Sequence, residues 1–373
     1  MNLFGPNELM EDVIRQGLCV GCGACVGMCP YFSTYRGKTA QLFACTSSQG
    51  RCFAYCPKIE VDLDELSNAC YGEPYDDSPI GRYREVVAAK AGPEAPNVPY
   101  QTGGTVTALL AWAMEAGLLD GAVVTKREGL VPTPELVTDA DGVCSAAGSK
   151  YMASPTVSAL NEAARDGYRN LGVVATPCQA TAIAQMRGNP LNREDFTDPV
   201  GLLVGLFCTW ALDTRGLMSL LEDRVDVSGI TGMDIPPPPA EVLVLKMDDG
   251  GAVEIPLVDV REYIPQGCGV CCDMTAEWAD VSVGAVEGMP GYNSLVIRTE
   301  KGAEMVGGAR KAGFLDVEEM PQQYLDGLFT AAGNKKKRAL AQAKTLGLLN
   351  TAEEGKRAAY RLSEEIVNRL LGA

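Results

Sequence analysis

Short apolar runs alternate with amphipathic stretches through the middle of the chain. Runs of strand length occupy residues 122–125, 171–175 and 201–207, and a helical pattern follows each of them. Continuous apolar runs joined by helices are typical of parallel strands that are buried on both faces. The pattern predicts an α/β fold with a mostly parallel sheet covered by helices.

The two ends of the chain differ from this middle region. Residues 1–72 are dense in cysteine, and residues 73–100 form a proline-rich linker with one predicted edge strand at 83–90. Residues from 321 onward have a helical pattern. We therefore predict domains at 1–72, 83–320 and 321–373. The basic cluster at 335–338 is expected to be a solvated helix face or, alternatively, a docking site for an acidic partner.

Composition narrows the chemistry. The 373-residue chain has a formal net charge of −16, which argues against nucleic-acid binding. It has no histidine, which removes His-ligated zinc and Ser–His–Asp catalysis. No signal-peptide pattern follows Met1 and no apolar run reads as a membrane span, so we expect a cytoplasmic protein. Fourteen cysteines then indicate metal and redox chemistry rather than disulfides.

Four cysteines near the start have the spacing C-x2-C-x2-C-x3-C-P: Cys19, Cys22, Cys25 and Cys29. This is the bacterial ferredoxin pattern, in which three thiolates bind one [4Fe–4S] cluster and the fourth binds another. The intervening glycines allow the backbone to close round a cluster. A disulfide knot or a zinc ribbon is the alternative, although zinc sites usually pair two C-x2-C arms.

A second run contains Cys45, Cys52 and Cys56, and only its final half copies a ferredoxin repeat. By the ferredoxin crossover, Cys56 is expected to complete the first cluster. Cys29, Cys45 and Cys52 would then hold a second cluster, with Cys70 as the candidate fourth ligand. The spacing leaves open whether this second cluster is [4Fe–4S], is [3Fe–4S] or is absent.

Four further cysteines come from three separate segments. Cys178 and Cys208 follow predicted strands, and Cys268 and Cys271 form a C-x2-C pair. Ligands of open α/β sheets collect at the carboxyl ends of strands, and four thiolates suffice for another [4Fe–4S] cluster. The alternative is that buried cysteines act as small apolar side chains, which is the interpretation preferred for Cys144.

A Gly-Gly turn precedes the first helix of the α/β region. Gly103 and Gly104 are followed by Thr105 and Thr107, so backbone N–H groups lie at the positive end of a helix dipole. The motif is neither a Walker A loop nor G-x-G-x-x-G. It fits phosphate or flavin binding and a plain capped helix equally well.

Five motifs occur in the order typical of the beta-subunit family of coenzyme F420 hydrogenases and dehydrogenases: TGGTVTALLAWAMEAGLLDGAVV, SKYMASP, VVATPCQATAI, GLFC and CGVCCDMTAEWADVSVGAVEG. The sequence resembles that family over residues 83–320. Because the family holds FAD and a [4Fe–4S] cluster, the resemblance implies that Cys178, Cys208, Cys268 and Cys271 are cluster ligands. The role of the extra Cys272 stays open.

The resemblance also implies a set of FAD-binding residues at the matching motifs: Gly103, Gly104, Thr105, Thr107, Lys150, Tyr151, Ser154, Thr176 and Asn293. Lys150 would balance negative charge on phosphate or on reduced flavin.

The function implied by the resemblance is that of an oxidoreductase subunit. FAD would exchange hydride with coenzyme F420, and two or three [4Fe–4S] clusters would pass single electrons to other redox subunits of a hetero-oligomeric complex. Two alternatives remain. The same architecture would serve NAD(P)H, ferredoxin, a formate dehydrogenase or a disulfide reductase, or the chain would conduct electrons without a working flavin site.

Overall fold

The computed structural model describes residues 3–236, 239–352 and 359–372. An eight-stranded sheet forms the middle of the molecule, and a cysteine-rich head precedes it in the chain. Within the described ranges, no helix has the length and apolar character needed to cross a membrane.

The head is built from short elements around its cysteine loops. Helix α1 (Pro6–Leu9) runs into a π-helical turn at Met10–Ile14. Strands β1 (Phe32–Tyr35) and β2 (Lys38–Gln41) form an antiparallel hairpin. Helix α2 (Arg51–Ala54), strand β3 (Val61–Asp62) and helix α3 (Leu63–Tyr71) complete the head.

The central region contains the strands of the main sheet and the helices that cover it. In chain order these elements are β4 (Glu85–Ala91), α4 (Thr105–Glu115), β5 (Gly121–Glu128), β6 (Val131–Val137), α5 (Ala140–Ser145), α6 (Thr156–Arg165), β7 (Leu171–Ala175), α7 (Pro177–Arg187), β8 (Val200–Leu206), α8 (Thr214–Glu222), β9 (Ile230–Asp234), β10 (Val242–Met247), β11 (Ala252–Pro256), α9 (Leu257–Arg261), α10 (Gln266–Gly269), β12 (Val281–Ala285), β13 (Asn293–Ile297), α11 (Glu300–Lys311) and β14 (Leu315–Glu319). A 3-10 turn, Val227–Gly229, precedes β9.

The main sheet has the strand order β14-β4-β13-β12-β8-β7-β5-β6. Strands β12, β8, β7 and β5 pair in parallel, and the outer strands pair antiparallel. Strands β9, β10 and β11 form a separate antiparallel sheet. The predicted α/β class is confirmed, with the parallel pairs confined to the middle of a mixed sheet.

Strand β4 is an internal strand, so the prediction of an edge strand at 83–90 is wrong. It pairs with β13 on one side and with β14 on the other. Ala88 and Ala89 are fully buried within it. The proline-rich flanks indicated an edge, but both partner strands come from more than 200 residues later in the chain, where a local pattern gives no signal.

The C-terminal segment is mainly helical and also returns to the head. Helix α12 (Gln322–Thr345) and helix α13 (Glu364–Leu371) flank two short strands, β15 (Leu349–Asn350) and β16 (Tyr360–Arg361). Strand β16 pairs in parallel with β3 of the head and with β15. Arg361 forms an ion pair with Glu60 at 2.7 Å. The head and the C-terminal segment therefore share one small sheet.

One apolar core joins the head to the α/β region. Leu18 and Phe53 of the head belong to the same buried cluster as Val173 of β7, Ile183 of α7 and Val367 of α13. A Cβ added at Gly23 would lie 2.5 Å from the Pro155 carbonyl oxygen, so the first cysteine loop packs directly on the start of α6. The head is thus held in a fixed position against the sheet.

Candidate redox centre

The first cysteine group surrounds a mostly apolar cavity in the head. Its lining includes Cys19, Cys22, Cys25 and Cys56, which are the four cysteines that the ferredoxin crossover predicts for one cluster. Gly21 and Gly23 have φ angles of +67° and +84°, which turn the loop tightly. Burial raises the pKa of the Cys25 thiol to about 12, and the nearby Cys19 sulfur also raises it.

The second group consists of Cys29, Cys45 and Cys52. Burial raises the pKa of the Cys52 thiol to about 11, and the sulfurs of Cys29 and Cys45 add to the shift. Because charges shift a pKa mainly at close range, the three side chains lie near one another. Cys70 lies elsewhere, in α3, where burial raises its pKa to about 11 and the acting charges are those of Arg187 and Asp280.

The third group draws cysteines from the ends of β7 and β8 and from the segment around α10. Burial raises the pKa of Cys178 to about 12, and Cys271 and Cys268 contribute to the shift. Burial also raises the pKa of Cys208, on which all three of the other sulfurs act. The four thiols predicted as ligands of one cluster therefore come together. Cys272 is buried beside Cys271, and burial raises its pKa to about 12.

The three groups form a connected series. Burial raises the pKa of Cys22 well above its usual value, and the next largest contribution comes from the Cys178 sulfur of the third group. The pKa of Cys25 is likewise raised by Cys52 of the second group. The first group therefore lies between the other two.

The donor sets fit iron–sulfur clusters better than zinc. Within the described ranges, no three His, Cys, Asp or Glu side chains converge on a point where a single metal ion would bind. A zinc ion needs its sulfurs at about 2.3 Å, whereas a cluster spreads its thiolates over separate iron atoms. Buried thiols arranged around a mostly apolar cavity match the second requirement.

The Gly-Gly turn is tied to β13 by a side chain. Gly104 has a φ of +76° and precedes α4. The Oδ1 atom of Asn293 accepts hydrogen bonds from the Thr105 hydroxyl at 3.0 Å and from the Thr105 N–H at 3.4 Å. The Asn293 amide donates to Thr102 Oγ1 at 2.8 Å. The residues predicted from TGGT and the predicted Asn293 therefore form one turn, with Thr107 buried in the first turn of α4.

Other predicted FAD residues follow the carboxyl ends of neighbouring strands. Ser154 Oγ lies 3.2 Å from Thr125 Oγ1 of β5. Thr176 directly follows β7, and its hydroxyl lies 3.4 Å from the Cys178 sulfur. Because β4, β5, β7 and β8 all end on this side of the sheet, the predicted flavin residues and the third cysteine group share one edge.

Two cations lie at the same edge. Lys150 Nζ donates to the carbonyl oxygen of Gly148 at 2.7 Å and also to that of Ala146. Burial and the neighbouring Arg127 guanidinium lower the pKa of Lys150 to about 8. Tyr151 donates to Asp234 at 3.2 Å, which ties this segment to β9. Two cations that repel each other suit an anionic group such as a pyrophosphate.

Buried lysines were missed by the sequence analysis. Lys335 and Lys336 have exposed fractions of 3% and 0%, so the prediction of a solvated face at these two positions is wrong. Lys336 forms an ion pair with Glu277 at 2.9 Å, and Lys335 donates to the Cys208 carbonyl oxygen at 2.6 Å. Lys58, which directly follows Cys56 and Pro57, is also buried.

Family models match three parts of the chain. The N-terminal and C-terminal models of the coenzyme F420 hydrogenase/dehydrogenase beta subunit match residues 86–161 and 168–323, and a 4Fe-4S binding domain matches residues 12–32.

Individual relatives agree with these matches. The chain is 31% identical to the coenzyme F420 hydrogenase subunit beta of Methanothermobacter thermautotrophicus, over 72% of this chain and 98% of the relative. It is 30% identical to the coenzyme F420-dependent sulfite reductase of Methanocaldococcus jannaschii, over 83% of this chain and 49% of that protein, so it spans about half of it.

A solved structure shares the fold. A chain of the xenon-derivatised F420-reducing [NiFe] hydrogenase complex from Methanosarcina barkeri superposes with a TM-score of 0.65 at 28% identity, covering 73% of this chain and 96% of that one. The beta-subunit models and a relative covered over nearly its whole length agree with the resemblance stated from the sequence motifs. The chain belongs to the coenzyme F420 hydrogenase/dehydrogenase beta-subunit family.

Proposed function

We propose that this chain is an iron–sulfur flavoprotein subunit in which FAD exchanges hydride with coenzyme F420 and single electrons pass through clusters to a partner redox subunit. Relatives with similar sequences are named as beta subunits of coenzyme F420 hydrogenases, as a sulfite reductase dependent on the same coenzyme and as an F420H2 dehydrogenase subunit. We propose the same hydride exchange with coenzyme F420 for this chain.

The observation that carries the proposal is the series of three cysteine groups. It starts at Cys29, Cys45 and Cys52, continues through the group that contains Cys22, and ends at Cys178 beside Thr176. That last position is the sheet edge where the predicted flavin residues lie. Such a series gives electrons a short path from one end to the other.

The chain would hold FAD at this edge. When bound, FAD supplies the conversion between a hydride, which carries two electrons, and the single electrons that a cluster accepts. The turn at Gly103–Thr105, fixed by Asn293, presents backbone at a helix start, and the ammonium of Lys150 supplies positive charge. Tyr151, Ser154 and Thr176 would line the same site.

The proposed cluster ligands are members of the three cysteine groups. We assign one [4Fe–4S] cluster to Cys19, Cys22, Cys25 and Cys56, and another to Cys178, Cys208, Cys268 and Cys271. Cys29, Cys45 and Cys52 supply three thiolates to a further cluster. Because Cys70 lies beside Arg187 and Asp280, a [3Fe–4S] cluster suits the three cysteines better than a [4Fe–4S] cluster with Cys70 as its fourth ligand.

The predicted domain boundaries and the cytoplasmic location stay predictions.

The proposal is tested anaerobically on protein reconstituted with iron, sulfide and FAD. Reduced coenzyme F420 and NADH are added separately, and bleaching of the flavin absorbance is followed. Fast bleaching by reduced F420 alone is expected. Bleaching by NADH alone would mean that the hydride carrier is a nicotinamide and not coenzyme F420, with the proposed arrangement of flavin and clusters unchanged. A purified protein that binds no FAD would instead support a subunit that only conducts electrons.

A further inference from the structure

Lys58 lies between the first and third cysteine groups. Its side chain lines the cavity that contains Cys22 and Cys56, and it also lines the neighbouring cavity that contains Cys178 and Cys271. Its exposed fraction is 2%. The side chain therefore borders both the first and the third cysteine groups.

The contacts of Lys58 leave its charge without an acidic partner. Its Nζ donates to the Tyr360 hydroxyl at 3.3 Å and lies 5.6 Å from the centre of that ring. In the part of the chain that the structure describes, no carboxylate forms an ion pair with it. Asp273 and Glu277 line the second of these cavities, but neither forms an ion pair with Lys58. Burying an ammonium without a paired negative charge is strongly unfavourable, so a buried lysine of this kind indicates a further anionic group close by.

Lys335 is a second buried lysine that lies beside the third group. Its Nζ donates to the carbonyl oxygens of Cys208 and Asp273 at 2.6 and 2.7 Å. Its exposed fraction is 3%, so the ammonium lies in a poorly solvated site beside Cys208.

We propose that Lys58 and Lys335 are the fixed counter-charges of the clusters, with Lys58 shared by the first and third clusters and Lys335 serving the third alone. The inference rests on the proposed cluster ligands. Reduction adds one electron to a cluster and no proton, so its negative charge grows by one. A nearby ammonium in a poorly solvated site stabilises that added charge and raises the reduction potential.

The proposal makes a different prediction for each lysine. Lys58→Met should lower the reduction potentials of both clusters, whereas Lys335→Met should lower only that of the cluster bound by Cys178. We expect at least about a tenfold change in the equilibrium constant for reduction, which is about 59 mV for a one-electron couple. Lys58→Arg keeps the charge and should keep both potentials. Lys337→Met, at an exposed position of the same helix as Lys335, is the matched control.

The measurement is a potentiometric titration of the holoprotein followed by EPR, with Cys178→Ser used to assign the signal of the third cluster. Unchanged potentials in Lys58→Met and Lys335→Met would overturn the proposal. If Lys58→Met does not assemble its clusters, Lys58→Gln replaces it. Loss of clusters in both neutral variants but not in Lys58→Arg supports a need for the charge. Loss in all three assigns Lys58 a packing role and overturns the proposal. Wild-type protein without cluster signals would contradict the proposed function itself.

Discussion

Cys178 lies between the predicted flavin residues and the first cysteine group. Its sulfur lies beside the Thr176 hydroxyl at the sheet edge, and it also acts on Cys22 of the head. Its position follows from local structure, because Pro177 begins α7 and the Gln179 side chain accepts a hydrogen bond from the Thr176 N–H at 2.8 Å. A capping box of this kind fixes where the helix starts, and so fixes the cysteine in its first turn.

Replacing Cys178 tests the third cluster directly. We expect Cys178→Ser to lose that cluster and to keep those of the head, because only Cys178, Cys208, Cys268 and Cys271 would bind it. Iron content and EPR spectra of the reconstituted protein measure the loss. Cys144→Ser, which changes a cysteine outside all three groups, is the control. Unchanged iron content and spectra in Cys178→Ser would show that the third assignment is wrong.

Lys150 predicts a pH dependence of flavin binding. Its pKa is about 8 in the free protein, below that of an ordinary lysine, so its positive charge is present below pH 8 and is lost above it. If this charge faces the FAD phosphates, affinity should begin to fall near pH 8, at a limiting rate of about tenfold per pH unit. The loss levels off above the higher pKa that Lys150 has in the complex.

The measurement for Lys150 is the dissociation constant of FAD between pH 6.5 and about 9.5, which spans the cited pKa. Lys150→Met should bind FAD more weakly at pH 7 and should lose the fall above pH 8. Lys126→Met removes a lysine that is paired with Glu135 at 2.8 Å, and it should keep the wild-type pH profile. A wild-type profile in Lys150→Met would contradict the assigned role.

Helix α12 has a burial pattern that is visible in the sequence, but two of its buried positions are lysines. Leu328, Ala332, Ala339 and Ala343 are buried at a helical spacing, and Lys335 and Lys336 occupy the positions of that stripe between Ala332 and Ala339. The helical periodicity therefore predicts that both lysines face inward. Their charge favoured a solvated face instead, and only their partners, Glu277 and the Cys208 carbonyl, show why burial of the two ammonium groups is tolerated.

For the cysteine groups too, some contacts could be predicted from the sequence and others depend on tertiary packing. Spacing alone predicts that Cys19, Cys22 and Cys25 act together, because one tight loop presents all three. The addition of Cys56 follows from the ferredoxin rule. The meeting of Cys178 with Cys208 could be predicted only in outline, from strands ending at one edge, and the contact of Cys22 with Cys178 depends on how the head packs. Spacing suggested Cys70, but α3 places it beside Arg187.

The turn before α4 predicts a sharp effect of a single methyl group. A Cβ at Gly103 would lie 2.7 Å from Asn293 Oδ1 and 2.9 Å from the Ala89 carbonyl oxygen. Gly103→Ala should therefore displace the turn and weaken FAD binding, while cluster content stays unchanged. Gly307→Ala, in α11, meets no atom within 4 Å and should be neutral or stabilise the helix by up to about 1 kcal/mol. FAD affinity is measured for both variants, and equal affinities would contradict a role for the turn.

The continuous apolar core explains how the three cysteine groups keep their relative positions. Leu18 and Phe53 pack in one core with Val173 and Val367, so the head does not move independently of the sheet. The C-terminal strand β16 adds Tyr360, which contacts Lys58 between two cysteine groups. Segments far apart in the sequence thus hold the first and third groups side by side.

In the proposed function, this order would make the first group an obligatory step for electrons that pass between the other two groups. Cys56→Ala would remove one proposed ligand of the first cluster without changing the proposed flavin residues or the third cysteine group. After mixing with reduced coenzyme F420, we expect flavin bleaching at the wild-type rate and a strong slowing of electron arrival at Cys29, Cys45 and Cys52. Rapid-freeze EPR follows the clusters, and Cys144→Ser is the control. Equal rates of arrival in Cys56→Ala and wild type would mean that electrons bypass the first group, and the proposed series would be wrong.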